Sequence, residues 1–150
     1  MSSSISHLLF HLIFSTKKRE PMISAASEKE LYAYMGGILN HHKSTMLQIG
    51  GTADHLHLLF KLHPSISIAE IVRLLKSNSS KWVNECFKED TPFAWQTGYG
   101  VFSVSESQVS GVRTYIQNQK EHHKKIDFKS ELSLLLEKHG VSTAALQFWE

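Results

Sequence analysis

Two segments of the chain, residues 5–15 and 55–62, alternate their side chains as a β-strand with one buried face requires. Successive side chains of a strand point to opposite faces, so every second residue shares a face. In the first segment one face is wholly apolar and carries Leu8, Phe10, Leu12 and Phe14. In the second segment the apolar face carries Leu56, Leu58 and Phe60. The pattern predicts two strands on a shared core, with His55 and His57 together on the outer face of the second.

Helical periodicity and turn residues predict the remaining elements. Capping boxes at Ser27 with Glu30 and at Ser67 with Glu70 open the first two helices, because such pairs satisfy the free amides of a first turn. Further elements are strands at 45–51 and within 93–104, and helices at about 106–125 and 128–139. This order predicts one α+β domain over residues 1–150, with a ferredoxin-like antiparallel sheet and helices packed on one face.

Composition narrows the class of protein only slightly. The 150 residues are 41% hydrophobic, which suits one globular domain, and the net charge of +2 does not by itself indicate a nucleic-acid partner. The apolar run near the start is too short to cross a bilayer, so no membrane is expected and a cytoplasmic protein is predicted. The single cysteine, Cys86, falls on the apolar side of the second helix and is predicted to pack there.

Local clusters of cations and aromatic rings are the candidates for contact with DNA. Lys17 and Arg19 belong to one basic run, and His122 belongs to another. One stripe of the second helix presents Arg73, Lys76 and Lys81, which could grip phosphates but could equally be a solvated surface. Four aromatic residues are candidates for base stacking, with core packing as the alternative for each. They are Trp82, Phe93, Trp95 and Tyr99.

The two histidines of the strand could bind a metal ion. Both imidazoles project from one side of a strand that is anchored by its other side, which gives rigid ligands. On the third helix, Tyr115 and Gln119 are four residues apart and share a face, so the amide oxygen of Gln119 could complete the site. The alternatives are that the histidines are polar surface residues and that Tyr115 packs as a half-buried aromatic.

Five stretches of the chain resemble the HUH single-tyrosine transposases of insertion sequences of the 200/605 type, which move as single-stranded DNA. They occur in the family's order and cover nearly everything before the last helix. These stretches are HLIFSTKKR, DHLHL, LKSNSSKW, AWQTGYGVFSVS and YIQNQKEHH. The resemblance implies that His55 and His57 are the HUH histidines, that Tyr115 is the nucleophile and that Gln119 is the third metal ligand.

The resemblance also implies a cofactor, partners and a reaction. The family uses Mg²⁺ or Mn²⁺, although two imidazoles suit Mn²⁺, Zn²⁺ or Ni²⁺ better than Mg²⁺. It acts on single-stranded DNA with hairpins, as a homodimer whose tyrosine helix completes the histidine site of the other subunit. Tyr115 would form a 5′-phosphotyrosine at the element ends, and either the metal or His122 could help it to ionise.

Two other functions remain open at the level of sequence. One is a domesticated relative that binds hairpin DNA without cutting it. The other is a metal-dependent hydrolase in which water is the nucleophile, so that Tyr115 would be dispensable.

Overall fold

A four-stranded antiparallel sheet organises this computed structural model, which describes residues 4–87 and 90–148. The strands lie in the order β2-β3-β1-β4. They are β1 (Leu8–Ser15), β2 (Thr45–Gly51), β3 (His55–Leu62) and β4 (Gly100–Ser103). The helices are α1 (Ala25–His41), α2 (Ile68–Cys86), α3 (Val109–Gln117), α4 (Gln119–His122) and α5 (Phe128–Lys138). The predicted α+β class with an antiparallel sheet is confirmed.

The main core lies on the face of the sheet that packs against α1 and α2. Adjacent strands place large apolar side chains opposite one another there, as in the β1–β3 pair of Phe10 with Phe60 and Leu12 with Leu58. Helix α1 contributes Leu31 and α2 contributes further apolar residues to the same cluster. The alternation that predicted this buried face is therefore confirmed.

The opposite face of the sheet is also covered, which the predicted single helical layer did not include. Helix α5 packs Phe128, Leu132 and Leu136 against Ile13 of β1 and Phe102 of β4 in a second, smaller apolar cluster. Helix α3 contacts β2 and β3 on this side. The histidines of β3 were expected on an outer face, but this covering leaves their side chains fully buried.

Three local expectations were wrong in detail. Helix α1 begins at Ala25 and is capped by Ser24, whose side chain accepts from the Ser27 amide, so the predicted box at Ser27 marks the third residue of the helix. The predicted third helix is interrupted at Asn118, where ψ is 16°, and divides into α3 and α4. Cys86 is exposed as the last residue of α2, beyond Val83, the last buried residue of that helix.

Helix α2 begins as predicted, because the Ser67 side chain accepts a hydrogen bond from the Glu70 amide. Among the described residues, no helix combines the length and the apolar character that crossing a membrane requires.

Candidate metal centre and tyrosine nucleophile

Strand β3 holds the two histidines side by side on its covered face. The ring centroids of His55 and His57 are 5.3 Å apart. Each imidazole is oriented through Nδ1, that of His55 at 2.8 Å from Asp54 Oδ1 and that of His57 at 2.8 Å from His11 Nε2. Both Nε2 atoms are therefore turned towards the helices that cover the sheet. A metal-binding histidine is commonly oriented in this way, by a hydrogen bond to the ring nitrogen that does not bind the metal.

The helix that carries the tyrosine lies directly on the sheet because β2 has a glycine at the crossing. A Cβ added to Gly50 would lie only 2.5 Å from the carbonyl oxygen of Ile116, so a larger residue would force α3 away from β2. One turn further on, the Gln119 amide oxygen lies 3.1 Å from His55 Nε2. The predicted approach of Gln119 to the histidine pair is therefore present within one chain.

A residue that sequence reasoning did not select, Glu131 of α5, lies at the centre of the cluster. Its side chain is 1% exposed, and its Oε1 lies 3.1 Å from His57 Nε2 and 2.9 Å from His123 Nε2. Its Oε2 accepts hydrogen bonds from the Tyr115 hydroxyl and, at 3.0 Å, from the Gln119 amide nitrogen. One buried carboxylate thus connects the tyrosine, the amide and two imidazoles.

The protonation states follow from these contacts. Burial alone would raise the pKa of Glu131, but the hydrogen bond and charge of His57, together with hydrogen bonds from Tyr115 and Gln119, bring it well below its usual range. Burial, and then the hydrogen bond to Glu131, raise the pKa of Tyr115. The described arrangement is therefore a neutral phenol that donates to a carboxylate.

The surroundings of the two histidines that face each other on β1 and β3 oppose their protonation. Burial lowers the pKa of His57, and burial together with the charge of His57 lowers the pKa of His11 well below the ordinary value of 6.5. A neutral imidazole offers a free lone pair, which is the form that binds metal ions. The environment therefore prepares His57 as a ligand.

The donor set fits a divalent metal ion. Four residues each offer one ligand atom, and these four atoms all lie within 4.8 Å of one another. The residues are His55, His57, His123 and Glu131. Such separations are close to those of donors about 2.0–2.1 Å from a common ion. In addition, His55 lies between two acceptor oxygens, Asp54 Oδ1 and Gln119 Oε1, although a neutral imidazole has only one N–H. A cation at Nε2 would satisfy both contacts.

Three site residues were missed in the sequence, and each left a weak signal. His11 occupies the same face of β1 as Leu9 and Ile13, opposite the apolar alternation. Glu131 interrupts the apolar stripe of α5 between Phe128 and Leu132, where a solvated acid is out of place. The only sequence signal for His123 was its membership of a basic run, which does not indicate a metal ligand.

Two residues of the predicted DNA-contacting stripe of α2, Arg73 and Lys76, line a groove of about 520 Å³ with the segment that contains Trp95. Arg73 pairs with Glu70 on the helix surface, and Lys81 is exposed. Lys76 donates to the carbonyl oxygens of Gln96, at 2.5 Å, and Gly98, at 3.0 Å. Burial lowers the pKa of Lys76 to about 8, so this lysine primarily fixes the loop before β4.

The remaining candidates for DNA contact lie in different environments. Lys17 and Arg19 are exposed in a short 3₁₀ turn after β1. His122 lies beside the centre, with Nε2 at 3.4 Å from Glu131 Oε2. Trp95 is 8% exposed and donates to Ser79 Oγ, so the structure places its ring in the core and not on a free stacking surface.

The other three aromatic candidates also pack within the protein. Trp82 stacks on Tyr34 with centroids 4.9 Å apart, and Phe93 is buried against Trp95. Tyr99 borders the α2 groove and is partly buried.

Comparison with known proteins gives a consistent result. A family model described as "Transposase IS200 like" matches residues 4–119. The transposases for insertion sequence element IS200 of Salmonella typhimurium and Salmonella typhi are each 25% identical over 121 residues, 77% of this chain and 78% of theirs.

Two solved structures share the fold. A crystal structure of a candidate transposase from Deinococcus radiodurans R1 has a TM-score of 0.64 at 25% identity, over 79% of this chain and 95% of that one. A REP-associated tyrosine transposase bound to a REP hairpin has a TM-score of 0.60 at 11% identity, over 84% and 76% of the two chains.

Proposed function

This chain belongs to the IS200-like transposase family, and from that premise we propose that it cuts and rejoins single-stranded DNA through Tyr115. The observation that carries the proposal is the convergence of the Tyr115 hydroxyl, the Gln119 amide and His57 on one buried carboxylate, with His55 Nε2 3.6 Å from the same carboxylate. Such a set offers a nucleophile beside a group of metal-binding atoms, which is what phosphodiester transfer requires.

In the proposed reaction the Tyr115 oxygen attacks phosphorus, and the bond from phosphorus to the 3′ oxygen breaks. The products are a 5′-phosphotyrosine and a strand with a free 3′-hydroxyl. Glu131 Oε2 is the atom that faces the phenolic proton. Because the covalent intermediate conserves the ester bond, a second 3′-hydroxyl can reverse the step and join new strands without ATP.

The centre would hold Mg²⁺ or Mn²⁺ through His55, His57, Gln119 and Glu131. When bound, the cation would supply Lewis-acid stabilisation of the charge on the non-bridging phosphate oxygens. Asp54 and His11 keep the two imidazoles in orientation through their Nδ1 atoms. His123 contacts the same Glu131 oxygen as His57, with its Nε2 2.9 Å from Oε1.

We propose that the substrate is single-stranded DNA that forms hairpins. Residues Lys17, Arg19, Arg73, Lys76, Lys81 and His122 are the proposed cationic contacts, with the edge of Trp95 in the groove. What supports this is the exposure of Lys17, Arg19 and Lys81 and the groove along α2. The fold neighbour that is bound to a REP hairpin offers a precedent for this fold.

The decisive experiment is a test for protein-linked DNA. The purified chain is incubated with labelled single strands from the flanks of its own gene, with and without Mn²⁺, and resolved under denaturing conditions. We expect a metal-dependent adduct that Tyr115→Phe abolishes. Tyr34→Phe is the matched control, because that tyrosine stacks on Trp82 far along the chain from the centre.

Other outcomes would identify the competing functions. Turnover by Tyr115→Phe without an adduct would indicate a hydrolase that uses water. Tight hairpin binding by the wild-type chain without any cutting would indicate a binding protein instead of a transposase.

We also propose a homodimer with sites shared between subunits, which mixing of inactive variants can test. The described chain holds Tyr115 near its own His57, with ring centroids 5.6 Å apart, so sharing requires α3 to leave its own β2. Tyr115→Phe and His57→Ala would each be inactive alone. Recovery of cleavage on mixing supports sharing, whereas persistent inactivity shows that each chain uses its own tyrosine.

A further inference from the structure

A cavity of about 680 Å³ lies between α3 and α5 and opens onto the tyrosine. We call it the α3–α5 cavity. Three residues of the reaction centre, Tyr115, His122 and Glu131, form part of its wall. Any group that fills the cavity is therefore next to the atom that attacks phosphorus. Its volume lies within the range of small-molecule sites, so a nucleotide base with part of its sugar would fit.

The wall of the cavity carries apolar side chains at positions that are accessible to solvent. Leu134 of α5 is 57% exposed, one of few large apolar side chains with such exposure among the described residues. Val112 of α3 and Leu135 of α5 extend the apolar lining. Apolar surfaces suit the faces of a base, which are less polar than its edges.

The rim of the cavity supplies the polar and cationic groups that a nucleotide requires. His139 stacks on Phe102 with the ring planes 12° apart and centroids 4.3 Å apart, which presents a flat ring at the edge. Lys138 forms no ion pair with a described residue and can approach a phosphate. Gln108 makes no side-chain hydrogen bond within the described chain and offers both a donor and an acceptor.

From this combination we propose that the α3–α5 cavity binds the base of the nucleotide adjacent to the scissile phosphate. The inference rests on the proposed function, since it takes Tyr115 as the nucleophile. An apolar slot that is continuous with the nucleophile and bordered by Lys138 is complementary to a base attached to an anionic backbone. The base anchors the strand while its phosphate lies over the centre.

The cavity can be filled without disturbing the fold. Gly111 of α3 lines the cavity and a Cβ there would have no atom within 4 Å, so Gly111→Leu adds apolar volume at the cavity wall. Gly37→Leu is the matched control, because Gly37 is an exposed position of α1 with equally open space. Both variants should melt no lower than the wild-type chain, since leucine favours helix more than glycine does.

Binding is measured by fluorescence anisotropy in EDTA, where metal-dependent cleavage does not occur. The probes are fluorescein-labelled dT12 and an abasic strand of the same length with the same phosphates. We expect Gly111→Leu to weaken the binding of dT12 by about tenfold, the effect of losing one stacked base, and to leave the abasic strand unaffected. Gly37→Leu should change neither affinity.

Three results would overturn the proposal. They are an equal loss on both strands, no loss on either strand, and a wild-type chain that does not prefer dT12 to the abasic strand. A change of oligomeric state in Gly111→Leu, measured by size exclusion at the same concentration, would instead assign the cavity to a second copy of the chain.

The binding assay needs no cleavage, so its result is independent of the adduct test for the proposed function. Where the wild-type chain does cut, two substrates are compared, one with an abasic residue on the 5′ side of the cut and one with it on the 3′ side. Only one of the two substrates should be cut more slowly than the unmodified strand. Gly111→Leu should then cause no further loss on that substrate. Additive losses would contradict a shared site.

Discussion

The two faces of the sheet are formed by the same strands but are stabilised in different ways. The face towards α1 and α2 buries side chains such as Leu58 and Phe60, which need no particular partner. The face towards α3 and α5 buries His57 and Glu131, each of which needs polar partners at set distances. The first face should therefore determine stability and the second should determine chemistry. Substitutions on each face can separate these roles.

The largest effect on stability is expected from the apolar face. Phe60 has no exposed surface, and Phe60→Ala should lower the free energy of unfolding by about 3–5 kcal/mol because it leaves a cavity in the core. Tyr115→Phe, on the other face, removes one hydrogen bond to a charged carboxylate and should cost about 1.5–3 kcal/mol. Urea unfolding of both variants measures the two losses in the free energy of unfolding. A larger loss for Tyr115→Phe than for Phe60→Ala would contradict the comparison.

The close contact between α3 and β2 provides the next test. In Gly50→Ala the added methyl group would meet the Ile116 carbonyl oxygen, so α3 and Tyr115 must shift from the sheet. A displacement of about 1 Å can reduce a reaction rate on the order of 100-fold, and adduct formation should fall accordingly. Gly37→Ala has open space and should retain the wild-type rate. Equal rates for the two variants would show that this contact does not position the tyrosine.

Removal of the central charge should mainly affect metal binding. Glu131→Gln keeps the shape of the side chain, but an amide is a weaker ligand than a carboxylate, so the affinity for Mn²⁺ should fall by about 10- to 100-fold. Glu137→Gln, at an exposed position of the same helix, is the matched control. Isothermal titration calorimetry measures both affinities. Unchanged Mn²⁺ binding in Glu131→Gln would remove this residue from the proposed ligands.

The smallest effect is a dependence of stability on pH in the metal-free protein. His11 and His57 have pKa values below the ordinary 6.5 in the folded state, so the unfolded chain takes up protons that the folded chain does not. The free energy of unfolding should therefore fall as the pH decreases below about 6.5, by at most about 1.4 kcal/mol per pH unit for each histidine.

Urea unfolding at pH 7.5 and 5.5 in EDTA measures this slope. In His57→Gln the slope should be smaller, because one of the two histidines no longer titrates. A slope that the substitution leaves unchanged would mean that other groups control the acid sensitivity.

The comparison of the two faces also explains how much could be predicted from sequence. Alternation of apolar residues is local, so β1, β3 and the main core followed from it directly, as did the cap at Ser67. The resemblance to a family selected Tyr115 and Gln119, which the structure brings to the histidine pair.

What could not be predicted depends on contacts between distant parts of the chain. Glu131 meets His57 across 74 residues, and nothing near either residue in the sequence indicates the partner. The burial of the histidines has the same origin, because α5 must fold back over the sheet to cover them. The start of α1 was misplaced because Ser24 and Ser27 are both plausible caps, and only packing of the helix distinguishes them.

The position of Glu131 on the last long helix has a consequence for the order in which the protein matures. Domains begin to fold from the N-terminal side while the chain is still being synthesised. Every residue of the main core cluster, including its partly buried members, precedes α5 in the sequence, so the sheet can collapse on α1 and α2 before α5 leaves the ribosome. The nascent protein would then carry uncovered imidazoles and an unrestrained phenol. The central carboxylate is added only once α5 has emerged, so synthesis beyond this helix becomes a condition for an assembled centre.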